Sequence, residues 1–250
     1  FARPDQDRTI LRVPLDPPLW PWESTIVRMA FEAQVPTTDG QGYRIFHHSS
    51  SVTSLAEWYP ILALYQNGWQ TPPVPAVGDA LVAELAFYEV LFAAPPHYLA
   101  ASTGVAIETR DLPGARAWTF VSGPARSFAL ALSDRFHRQS AKVGEMTLNF
   151  YALSESPPAT GSDAAAGASQ ALSPLPGSAE AALAIAREAF EAFQRRFGPY
   201  PYAELDIVET GVSIKGYEFS SMVFMERGLR SSETWGLYRW TLAHELGHQW

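Results

Sequence analysis

The residues best equipped for chemistry lie in the last stretch of the 250-residue chain, Thr241-Leu-Ala-His-Glu-Leu-Gly-His-Gln-Trp250. It contains His-Glu-x-x-His, formed by His244, Glu245 and His248. In a helix, residues four apart stack on one face, so both imidazoles can reach a single point. Neutral imidazole nitrogen is a good zinc ligand, and a catalytic zinc takes three protein ligands and leaves a fourth position open for water. Glu245 directly follows the first histidine and would sit beside that water, where it could take the proton that the metal has made acidic. The chemistry that these types and this spacing point to is metal-assisted hydrolysis of a peptide bond. For the pentapeptide alone, two solvated histidines on a helix surface remain the plainer alternative.

The elements that must position this stretch are legible upstream. Up to residue 153 the pattern is β. Across Thr25 to Val35, Val27, Met29, Phe31, Ala33 and Val35 alternate with polar residues, which predicts a strand with one buried face. Met146, Leu148, Phe150 and Ala152 repeat the pattern, with Thr147, Asn149 and Tyr151 facing the other way. Shorter runs, Glu84 to Phe92, Ala117 to Val121 and Phe128 to Leu132, read likewise. Turn formers separate them, among them Asp39-Gly40, Asn67-Gly68, Gly78-Asp79 and Pro95-Pro96. Many short strands with such turns predict a sandwich or saddle-shaped β domain over 1–153.

Residues 154–178 are rich in Ala, Gly, Ser and Pro and poor in bulky apolar types, which predicts a flexible linker and a domain boundary. The period then becomes helical. Leu183, Ala186, Phe190, Phe193 and Phe197 recur at steps of three and four, and Gly198-Pro199 stops the helix. Leu205 to Glu209 and Met222 to Met225 read as strands, and Trp235 to the end as the helix carrying the histidines. Residues 179–250 are therefore expected to form part of a mixed α+β domain.

Composition narrows the partners. Acids outnumber bases 26 to 18 for a formal charge of −8, with no dense basic cluster, which argues against nucleic acid and anionic membrane surfaces. The absence of cysteine excludes disulfides and thiolate metal sites. No apolar run approaches the length of a transmembrane helix. The linker composition and absent cysteine lean toward an exported or cell-envelope protein of bacterial type, with the compartment itself left open. The chain opens Phe1-Ala-Arg-Pro-Asp without an initiator methionine and stops two residues after His248, as a piece of a longer protein would. A terminal helical turn that carries a ligand is expected to fray there. His47-His48 reads as an ordinary loop pair, His97 and His137 read as equally ordinary, and Trp58-Tyr59-Pro60 reads as core or interface packing.

Several stretches together resemble the gluzincin zinc aminopeptidases, the family of alanyl aminopeptidase and leukotriene hydrolase. They are Phe197-Gly-Pro-Tyr-Pro-Tyr202, Leu205-Asp-Ile-Val208, a Gly-x-Glu element in Lys215-Gly-Tyr-Glu-Phe219, and His244-Glu-Leu-Gly-His-Gln-Trp250. Ser54-Leu-Ala-Glu-Trp-Tyr-Pro60, Phe87-Tyr-Glu-Val90 and Ala100-Ala-Ser-Thr-Gly104 are similar to that family's N-terminal saddle domain. The resemblance implies an α+β chain with a β saddle followed by the first part of a thermolysin-like catalytic domain. It implies one zinc ion held by His244 and His248, with Glu245 as general base and peptides as substrates. A third ligand, a glutamate, and an oxyanion-steadying tyrosine would lie beyond residue 250. Glu218, with Gly216 beside it, would bind the substrate's free amino group. Tyr217 and Phe219 depart from the family's pattern, which leaves aminopeptidase and endopeptidase readings both open. A non-catalytic interaction scaffold of the same fold is the remaining alternative. Glu209 is a weaker candidate with a structural reading, and Arg227 and Arg230 have no assigned role.

Overall fold

The computed structural model describes residues 3–4, 9–38, 43–49, 51–72, 81–154 and 176–250. Contacts divide the chain into two units, Phe1–Gln34 with Leu62–Ala83, and Val35–Ile61 with Glu84–Trp250. In the smaller unit, β1 (Arg3–Pro4) pairs antiparallel with β2 (Leu11–Arg12). Tyr65 bridges Trp69 across the expected Asn67-Gly68 turn, where both residues take positive φ, 57° and 128°. The strand expected over Thr25 to Val35 does not form, and Val27, Met29 and Phe31 stay about half exposed. Alternation says which side chains a strand could bury, but the strand itself needs a neighbour to receive its N–H and C=O groups. No ladder reaches this segment among the described residues. The turns expected at Asp39-Gly40 and Gly78-Asp79 lie outside the described residues.

In the larger unit, seven strands form two antiparallel sheets among the described residues. They are β3 (Phe46–Ser49), β4 (Val52–Leu55), β5 (Glu89–Ala94), β6 (Leu99–Ser102), β7 (Val105–Leu112), β8 (Ala115–Val121) and β9 (Leu130–Ser133). One sheet has the order β3-β4-β9-β6 and the other β5-β8-β7. Leu55, Trp118, Phe120, Phe128 and Leu130 fill a core common to both, the arrangement of a sandwich. The run expected from Glu84 joins its ladder only at Glu89, with Ala86 held to Ala125 by an isolated bridge.

A mixed sheet follows, built from β10 (Phe136–Val143), β11 (Met146–Leu153), β12 (Glu204–Thr210), β13 (Gly216–Phe219) and β14 (Met222–Glu226) in the order β10-β11-β12-β14-β13. The pairs β11–β12 and β12–β14 are parallel, and the outer two are antiparallel. Helix α1 (Ala179–Phe197) lies between β11 and β12 in sequence. It starts where Ser178 Oγ accepts the Ala181 N–H at 3.1 Å, and it ends where Gly198 takes φ of 100°.

The boundary expected after residue 153 falls inside this sheet. β11, before the 154–178 segment, pairs with β12, after it, because parallel neighbours require a crossover and the segment leads into the crossover helix. Residues 155–175 of the expected linker lie outside the described residues. The two faces of β11 also differ from the half-exposed strand expected. Leu148 and Phe150 face a core with α1, while Tyr151 and Leu153 face a second core with Val52, Ala101 and Ala131 of the four-stranded sheet. Asn149 and Tyr151 are consequently buried, as befits a strand covered on both sides. Together the elements make an α+β chain.

Two polar ties bind the mixed sheet to the four-stranded one. Ser102 N–H donates to Asp206 Oδ2 at 3.3 Å, and Gly104 N–H donates to Ser221 Oγ at 3.0 Å. Asp206 is buried and also accepts from Asn149 Nδ2 at 2.9 Å. Burial pushes its carboxyl up to about 7 against these hydrogen bonds, with Glu204 adding to the rise.

Candidate metal centre

Helix α2 (Trp235–Gly247) buries Tyr238, Leu242 and Leu246 at successive four-residue steps, and this stripe seats it in the same core as α1. Seating the stripe turns His244 and His248 outward on an exposed face. Their Nε2 atoms converge to 3.2 Å, with the rings nearly perpendicular at 85°. Trp240, one turn earlier, lies flat against His244 at 5.2 Å and 12°.

Helix α2 ends at Gly247 with His248 as its cap, and the two residues that follow make side-chain bonds to distant elements. Trp250 donates its indole N–H to Gly198 O at 2.9 Å and packs on Phe190, Phe193 and Tyr200 at the end of α1. Gln249 is bonded through both ends of its amide to the β13–β14 turn.

Strand β13 is an edge strand, and its period of two divides its residues cleanly. Tyr217 and Phe219 point into the core shared with the four-stranded sheet, where Tyr217 meets Tyr43 at 5.9 Å and Phe219 meets Phe224 at 4.9 Å. Gly216 and Glu218 take the opposite face, toward α2. A Cβ at Gly216 would stand 2.5 Å from both Oε1 and Cγ of Glu245, so the missing side chain makes room for that carboxylate. Glu245 is buried, at 6% exposure, while Glu218 is about one-third exposed. Glu218 Oε1 lies 3.6 Å from His248 Nδ1. One donor atom each from Glu218, Glu245 and His248 fall within 4.8 Å of one another. Burial first, and the Glu218 carboxylate second, push the Glu245 carboxyl up to about 8.

Of the five residues expected from the sequence, Glu245, His248, Glu218 and Gly216 thus come together, and His244 joins them through its contact with His248. The donor set can be tested against zinc by its own spacing. Two nitrogens bound tetrahedrally at about 2.05 Å stand roughly 3.3 Å apart, and the two Nε2 atoms are already 3.2 Å apart. The two histidine nitrogens have the spacing that zinc requires, which is also that of an N–H···N hydrogen bond between them.

Other candidates lie elsewhere. Glu209 is fully enclosed and paired with Arg230, and it accepts the Leu153 N–H at 2.7 Å. Arg230 also donates to Gly177 O at 2.5 Å, which ties the entry of α1 to the end of β12. Arg227 begins a 3-10 turn. His47 is buried in β3, and its neighbour His48 holds Thr53 Oγ1 at 2.8 Å. Trp58 meets Tyr59 edge to face at 5.4 Å, and Tyr59 accepts the Phe128 N–H at 2.8 Å, so this cluster is packing. Sequence reasoning missed the roles of Gln249 and of Trp240. The four-residue step from Trp240 to His244 was a readable signal, whereas the bonds of Gln249 depend on a turn distant in sequence.

No family model matches the chain, and no curated protein matches it in sequence. Among solved structures it is similar to a mutant two-domain M1 zinc metallopeptidase bound to L-arginine, at 18% identity and a TM-score of 0.46. It is also similar to the M1 zinc metallopeptidase from Deinococcus radiodurans at 20% and 0.46, and to a mutant of that protein at 19% and 0.45. Each match covers 66% of this chain and 34% of the other, so the chain corresponds to about a third of their length. No helix among the described residues is long and apolar enough to cross a membrane.

Proposed function

We propose that this chain carries the front of a zinc peptidase site, and that the protein removes N-terminal residues from peptides. The observation that carries the reading is the convergence of His244 and His248 Nε2 at 3.2 Å, with the buried Glu245 carboxylate within 4.8 Å of His248. His244 and His248 would hold the zinc, and a third ligand would come from outside residues 1–250, as the resemblance implies. When bound, zinc supplies a Lewis acid that acidifies a nearby water and polarises a peptide carbonyl. With the cation bound, its charge would offset the burial and the Glu218 carboxylate that raise Glu245. Glu245 would then accept the proton of the attacking water and pass it to the departing amine, acting as base and then as acid. Gly216 leaves the space in which Glu245 does this. Glu218 holds the substrate's terminal ammonium by a charge-assisted hydrogen bond.

The burial of Tyr217 and Phe219 supports the aminopeptidase form of this reading. These two departures from the family pattern change what packs behind β13 and leave the face of Glu218 as it was. The test pairs metal analysis with cleavage assays on the full-length protein. Stoichiometric zinc and cleavage of unblocked peptides that stops on N-acetylation are the expected result. Equal cleavage of blocked and unblocked peptides would replace the aminopeptidase by an endopeptidase. Failure to retain any metal would leave a scaffold.

A further inference from the structure

We infer that Gln249 is a positioning residue whose side-chain amide fixes the β13–β14 turn to the end of α2 and thereby sets where Glu218 stands relative to His248. The inference rests on the reading of Glu218 as the anchor of the substrate's amino group. Gln249 Oε1 accepts the Ser221 N–H at 3.0 Å, and Gln249 Nε2 donates to Phe219 O at 3.0 Å. One planar group therefore grips the turn on both sides of residue 220. Phe219 follows Glu218 and Gln249 follows His248, so the amide joins the chain neighbours of two side chains that face each other at 3.6 Å.

The edge position of β13 gives this clamp its importance. Among the described residues the strand has a ladder with β14 on one side only, so no second ladder there sets its distance from the helix. On the sheet side the turn is held independently. Ser221 Oγ accepts the Gly104 N–H at 3.0 Å, and Ser221 O accepts the Asp206 N–H at 3.1 Å. Ser221 keeps φ at 58° there, a conformation that bulky residues avoid. Gln249 supplies the helix-side hold. The task needs one acceptor and one donor on a single short group, which an amide provides. A carboxylate of the same length can serve Ser221 but turns a second acceptor on Phe219 O.

The test uses zinc-loaded full-length protein carrying Glu245→Gln to stop turnover, with calorimetric titration of trialanine and of N-acetyl-trialanine. With Gln249 present, trialanine is expected to bind more tightly than its acetylated form. Gln249→Met, which keeps the shape and loses both bonds, should weaken trialanine binding roughly tenfold. It should leave the acetylated peptide and the zinc content unchanged. Gln249→Glu, which keeps one bond, should fall between the two. If the two peptides bind equally with Gln249 present, the assignment of Glu218 falls and this inference falls with it. If the preference for trialanine is present and survives both substitutions undiminished, the role of Gln249 alone is overturned. Loss of affinity for both peptides together, or loss of zinc, would equally overturn it by making Gln249 a general support.

Discussion

Replacing Gly216 by alanine tests the geometry of the site with a single methyl group. The new Cβ would lie 2.5 Å from Glu245 Oε1 and Cγ and 2.6 Å from Cδ. An ordinary contact begins at 3.4 Å, so the carboxylate must give way by about 0.9 Å. Gly216 is not in the left-handed region, so alanine adds no backbone strain, and the burden falls on Glu245. A displacement of about 1 Å at a reacting group can cost about a hundredfold in rate, or about 2.7 kcal/mol of transition-state stabilisation. Gly216→Ala should therefore lower kcat and kcat/KM together by about that factor, since Glu245 acts in the transition state. Zinc content should be unchanged, because the three atoms nearest the new methyl group all belong to Glu245. The assay is steady-state cleavage of an unblocked peptide, with metal analysis and thermal melting on the same sample. Activity within threefold of the parent, with the fold intact, would refute the placement of Glu245 against Gly216.

Three further outcomes are expected. Glu245→Gln should retain zinc while kcat falls by at least about a hundredfold; retained turnover would remove Glu245 from the chemistry. Asp206 makes stability depend on pH. Its folded value of about 7 lies above the ordinary 3.8, so between about pH 4 and 7 the unfolded chain releases a proton that the folded chain keeps. Stability should fall across that window by about 4 kcal/mol at most and level off above it. Asp206→Asn should flatten the slope of melting temperature against pH there, and parallel curves would refute the assignment. Arg230→Ala would strand the enclosed Glu209 carboxylate and should cost about 3–5 kcal/mol in denaturant unfolding at pH 7. A loss under about 1 kcal/mol would mean that Glu209 finds another partner.

The local elements were legible because their signals are local. The helical period of Leu183, Ala186 and Phe190 and the Gly198-Pro199 stop mark α1, and the period-two run from Met146 marks β11. Thr25 to Val35 carries a comparable alternation and forms no strand, because a ladder depends on a neighbour that the pattern does not name. Nor did composition reveal that β11 and β12 are neighbours in one sheet. The Ala/Gly/Ser-rich stretch between them looks like a boundary, while pairing across it is a long-range event.

The site divides in the same way. The approach of His244 and His248 was legible in the sequence alone, because one helical turn brings residues four apart together whatever surrounds them. Glu218 and Gly216 were named through resemblance, and only the packing of β13 beside α2 brings their face to Glu245 and His248. That packing also decided that Tyr217 and Phe219 belong to the core, through the alternation of an edge strand whose rear face is covered. The hold of Gln249 on residues 219–221 and the raised carboxyl of Asp206 belong wholly to the tertiary structure. Both arise from groups distant in the chain that the fold brings together, and neither the spacing nor the type of a residue encodes such a meeting.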